Sequence, residues 1–133
     1  MAGLSLAAIG AGIGVAVILS ALVGLVFGAA VIADTHPDDD DPEAALDAAM
    51  ASPGALAQLS VLSLAVTLLS GAVTGWLAPA APYANAALVG ATGTVLGLAL
   101  PAPGFPRRLR IAMALATLPV TLAGAWGLTA FTG

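Results

Sequence analysis

The chain has no cysteine, no lysine and one histidine, and only 8% of its 133 residues are charged. Without thiols there are no disulfides, thiolate metal centres, iron-sulfur clusters or thiol nucleophiles to consider. Its only three cations are arginines confined to positions 107 to 110, so no basic face exists to hold a phosphate backbone, and a nucleic-acid partner is not expected. A soluble domain of this size carries about 25% charged residues. Water is therefore a poor solvent for this fold, and a small integral membrane protein is the expected class.

Hydrophobic residues make up 60% of the chain, and the mean hydropathy is +1.07. The first uncharged run extends from Ala2 to Ala33 and is expected to hold a helix over about 4–33. It begins MAGLSLAAIG, without the positive start of a signal peptide, and reads as a retained span. A second run is expected to be helical over about 55–78, after Pro53-Gly54 and before Pro79 and Pro82. A third, shorter run covers about 83–100 and stops at Pro101, Pro103 and Pro106. The fourth covers about 109–131 and contains Pro119, which should bend it near Thr117 and Leu118. The runs are continuous and do not alternate, and backbone in lipid must satisfy its own polar groups, so helices are expected and strands are not. The fold class that follows is all-α: one polytopic membrane domain, a bundle of four transmembrane helices.

Four spans place both termini on one side of the bilayer and both charged loops on the other. The arginines of PRRLR, read as the 101–108 loop and its exit, assign the loop side to the cytoplasm by the positive-inside rule and put both termini outside. Trp76, Tyr83 and Trp126 fall near the expected outer interface and agree with that layering. All seven acids lie between Asp34 and Asp47 and give the net charge of -4. Within this 34–53 segment Asp41 suits an N-cap, Pro42 a first helical position, and Glu43 the positive end of a helix dipole. A short amphipathic helix with Leu46, Ala49 and Met50 on one face is expected there, packed on protein and not anchored in anionic lipid.

No ionisable residue falls in the central part of any expected span. Such residues mark proton relays and ion pathways, so a proton-coupled pump is not expected, and neither is an acid, base or metal site at membrane depth. The strongest positive pattern is Ala8, Gly12, Ala16, Ser20, Gly24 and Gly28, small residues at every fourth position of the first span. Small side chains let backbones approach, and close packing holds helices together in lipid. In the second span Ser60, Ser63, Thr67, Ser70 and Thr74 share one face beside Gly71 and Gly75. These hydroxyls either bond carbonyls of their own or a neighbouring helix, or line a path for a small neutral solute. Gly90, Gly93 and Gly97 suggest close contact for the third span, and Asn85 reads as a cap at its outer end. Asp34, His36, Asp38 and Asp40 could present oxygens and an imidazole to a cation. They fail the EF-hand pattern, having no glycine at the sixth loop position and Ala45 at the twelfth. No cofactor and no metal are expected.

The stretch LAAIGAGIGVA, Leu6 to Ala16, resembles the glycine-rich first helix of the rotor-ring proteolipid subunits of ATP synthases. Those subunits carry their ion on a carboxylate in a partner helix, which no span here supplies, so the resemblance implies shared close packing and not shared function. GAVTGWLAP followed by NAALVGATGTVLGLAL is similar to the glycine-punctuated pairs of small four-span membrane proteins of unknown function found in archaea and bacteria. The DDDDPE cluster, the missing lysine and the alanine richness resemble proteins of salt-loving archaea. The resulting expectation is a non-catalytic structural or accessory membrane subunit, self-associating or joined to a larger complex in the lipid bilayer. The alternative is a small-solute channel or transporter lined by the second-span hydroxyls. An enzyme is not expected, because His36 is the only histidine and Ser5 lies at the opposite end of the first span.

Overall fold

The computed structural model describes residues 3–34, 41–102 and 104–132. Among these the chain is all-helical, with five α-helices: α1 (Leu6–Asp34), α2 (Pro42–Met50), α3 (Pro53–Leu77), α4 (Pro82–Ala99) and α5 (Arg107–Thr132). Three of them, α1, α3 and α5, are long and apolar enough to cross a membrane. The 18-residue α4, with Tyr83 and Asn85 in its opening turns, is not one of the three.

Prolines set most of the helix starts. Asp41 caps α2 by accepting the N–H groups of Glu43 and Ala44, with Pro42 directly behind it. Ser52 caps α3 by accepting from Ala55, so Pro53 and Gly54 belong to the helix and do not break the chain ahead of it. Proline at the first helical position loses no hydrogen bond and already has a helical φ. The same reason starts α4 at Pro82, one residue before Tyr83. Pro106 accepts from the Arg110 N–H, which places Arg107 and Arg108 inside the first turn of α5 and not in the preceding loop. Pro119 lies within α5 without interrupting it.

α5 packs against both α3 and α4, α1 rests mainly on α3, and α2 touches the ends of α1 and α3. The approach of α3 to α5 is closest where glycine faces backbone. A Cβ on Gly71 would overlap the Thr121 carbonyl, and one on Gly124 would overlap the Leu68 carbonyl.

The interior is polar relative to the exterior. The largest fully buried side chains are Asn85, Thr74, Thr121 and Ser70, whereas Leu25, Val26, Trp76 and Phe131 are exposed. In water this arrangement would be costly, because burial of large apolar side chains drives folding there. In hydrocarbon it is the stable one, since apolar side chains gain nothing by leaving lipid while hydroxyls and amides need partners.

The two ends of the molecule differ. At one, Gly3 takes φ +115°, which brings the chain onto α4. There Asn85 accepts the Ser5 N–H at 2.8 Å and donates to the Gly3 and Ala81 carbonyls at 2.9 and 2.7 Å. Asn85 therefore does not cap its own helix; it stands one turn inside α4 and ties down the start of α1. Tyr83, whose hydroxyl lies 3.1 Å from that of Thr129, and the exposed Trp76 and Trp126 belong to this end. At the other end the turn at Gly104, with φ +81°, packs against Met50 of α2.

Candidate functional site

The small residues of α1 divide into two groups. Ala8 is buried, and Gly12 lies so close to α3 that a Cβ would overlap the Thr74 hydroxyl. Ala16 is half-buried, Ser20 is exposed, and a Cβ on Gly24 or Gly28 would meet nothing within 4 Å. The helix repeat explains the division. Four residues advance about 400° around a helix of 3.6 residues per turn, so each step drifts about 40°, and Gly28 points about 200° away from Ala8. One straight neighbour can follow only part of such a stripe. α3 follows it at Gly12, where the Ser70 hydroxyl donates to the Gly12 carbonyl at 2.7 Å, and the two helices separate beyond that point.

The other small residues named from the sequence all face α5. Gly71 meets Thr121, Gly75 meets Ala125, Gly90 meets Leu118 and Thr121, Gly93 meets Thr117, and Gly97 meets Ala114. Gly124 and Thr121 belong to the same seam and were not singled out by sequence reasoning. The four-residue spacing of Thr117, Thr121 and Ala125 carried the signal.

The hydroxyl face of α3 serves the protein itself at four of its five positions. Ser60, Thr67 and Thr74 return their protons to the Leu56, Ser63 and Ser70 carbonyls at 2.7, 2.9 and 2.8 Å, and Ser70 spends its own on Gly12. Thr92, Thr117 and Thr121 bond back to their own helices in the same way. Together with Thr67 and Ser70 they border a crevice of about 100 Å³ where α1, α3, α4 and α5 meet. Ser63 is the exception: it is exposed and its hydroxyl, like that of Ser20, has no hydrogen-bond partner among the described residues.

Where α1 leaves α3, two adjoining spaces open. A groove of about 940 Å³, walled by aliphatic side chains such as Leu22, Val26, Val61 and Leu62, lies on one side. On the other is a chamber of about 450 Å³, whose walls come from α1 (Ser20, Gly24), α3 (Ser63), α2 (Asp47) and the turn before α5 (Phe105). Val23, Phe27 and Val66 border both spaces. Among the described residues Asp47 is the one charged residue on the chamber wall.

Among the described residues no three potential metal ligands gather. His36, Asp38, Asp40 and the side chain of Asp34, considered above as a cation site, lie outside the described residues. Compared with family models, curated proteins and solved structures, the chain matches none of them.

Proposed function

We propose that the chain is a non-catalytic integral membrane protein, a four-helix bundle in which α4 is the fourth span. Its role is that of a structural or accessory subunit, joining a second copy or a larger membrane complex through small-residue helix faces. The observation that carries the reading is the divided stripe on α1. Ala8 is buried and Gly12 meets the protein's own α3, while Ser20 and Gly24 are exposed, and a Cβ on Gly24 or Gly28 meets no atom of the described residues within 4 Å. Small residues in lipid are useful only where a backbone approaches them. The three arginines support a topology with both charged segments in the cytoplasm and both termini outside.

The alternative, a solute path along the α3 hydroxyls, loses support because Ser60, Thr67, Ser70 and Thr74 have committed their protons to carbonyls. The test is the mass of the purified protein in mild detergent and in lipid nanodiscs. Gly24→Leu and Gly28→Leu have room within the protomer, so they should convert an assembly to a smaller species while leaving helix content unchanged. Leu22→Ala and Leu25→Ala should leave the assembly as it is. A wild-type species that is monomeric in both media and recovers no partner from native membranes would refute the proposal.

A further inference from the structure

The chamber between α1, α2 and α3 has the make-up of a ligand site. Its volume of about 450 Å³ falls within the roughly 300–1,000 Å³ of small-molecule pockets, which combine apolar walls with a few convergent polar groups. Phe27, Leu59, Met50 and Phe105 supply the apolar walls. Two independent observations concern its polar groups. Six hydroxyls of the long helices, those of Ser60, Thr67, Thr74, Thr92, Thr117 and Thr121, are satisfied by a carbonyl one turn back. The hydroxyls of Ser20 and Ser63, both exposed and both on the chamber wall, are not, and neither is that of Thr94, which lies away from the chamber. Among the described residues the one charge on that wall is the carboxylate of Asp47, on the helix that closes the chamber at its charged end. The arginines of α5 begin two residues beyond Phe105 and do not line the chamber.

We infer that this chamber binds an amphiphile with a protonated amine and an apolar body, the amine against Asp47 and the body reaching between α1 and α3 toward Ser63 and Ser20. Ser63 lies ten residues into α3 from Pro53, about 15 Å along the axis, so a chain of roughly a dozen carbons matches that depth. A neutral chain gains nothing from Asp47, and an anionic one is repelled by it and by Glu43 on the same helix. The inference rests on the membrane reading. Gly24, exposed, and Gly28, half-buried, border the chamber, and neither Cβ position meets an atom within 4 Å, so a helix seated on them would roof the chamber without filling it.

The experiment uses the full chain in nanodiscs of phosphatidylcholine and phosphatidylglycerol, with tritiated dodecylamine and tritiated dodecanol as probes and empty discs as the baseline. Protein-loaded discs should retain dodecylamine above that baseline and about five-fold better than dodecanol, the scale of one interfacial charge pair. Asp47→Asn should remove the preference without changing particle size, and Ser63→Leu, which narrows the chamber at the depth the chain would reach, should lower retention of both probes. Competition by added phosphatidylethanolamine would identify a lipid headgroup as the source of the amine; its absence would point to a free amine. Equal retention of the two probes, or a preference that survives Asp47→Asn, overturns the inference while leaving the membrane reading intact. A chain that does not enter the disc overturns both.

Discussion

Asn85 accepts the backbone N–H of Ser5 at 2.8 Å across 80 positions of sequence, and with its amide nitrogen it holds the Gly3 carbonyl at 2.9 Å. One side chain, fully buried, thus fixes where α1 begins relative to α4. Replacement by Leu leaves a part-buried N–H and a part-buried C=O without these partners, each costing less than the roughly 1–3 kcal/mol of a fully buried group. Asn85→Leu should lower the unfolding midpoint in detergent and speed hydrogen exchange at Ser5 and Leu6. Asn85→Asp, which keeps the acceptor and loses the donors, should fall between that variant and wild type in the same two measurements.

Glycines of this chain differ in what surrounds them, and substitution should separate them. Gly71→Ala and Gly124→Ala push a methyl into the facing backbone, and overpacking of this kind costs about 1–3 kcal/mol. Gly10→Ala and Gly14→Ala meet nothing within 4 Å and should be neutral or stabilising by up to about 1 kcal/mol from helix propensity. Thermal unfolding in one detergent checks all four.

The hydroxyls of α3 should behave unequally as well. Ser70→Ala removes the bond to the Gly12 carbonyl, and interhelical bonds of this type average about 0.6 kcal/mol in membrane proteins. Thr67→Val removes only a bond within one helix and should leave stability unchanged to within a few tenths of a kcal/mol. Reversible unfolding in mixed micelles resolves the difference, and neither change should alter liposome flux.

Thr94 has a buried hydroxyl oxygen with no partner among the described residues. An unsatisfied buried polar atom is a cost, so its removal at constant shape should help. Thr94→Val is expected to raise the unfolding midpoint, or at worst leave it unchanged.

Much of the architecture was legible in the sequence because lipid leaves few solutions: long uncharged runs must be helical, and a proline directly behind a capping residue marks a helix start. Asp41 ahead of Pro42 is such a case. The site was less legible, since the every-fourth spacing on α1 suggests one face until the drift of about 40° per step is followed around the helix. Only the packed structure shows that α3 takes Gly12 and not Gly24. The role of Asn85 was hidden for another reason. Its partners are backbone groups of Gly3 and Ser5, and backbone groups have no sequence signature. The seam of α5 was obscured by the arginines and Pro119, which drew the reading to the ends and the bend of that helix while Thr121 and Gly124 formed its contacts.

The polar interior has a consequence for engineering. Because Asn85, Thr74, Thr121 and Ser70 occupy the middle and the large aliphatic side chains lie outside, the groups that hold the helices to each other are not the groups that demand lipid. Recolouring the outward leucines and valines with glutamate, glutamine and lysine would leave the Asn85, Ser70 and Gly71 contacts untouched. Such a repainted chain should dissolve in water without keeping its fold, because the contacts that remain bury few large apolar side chains and leave little to drive the helices together there.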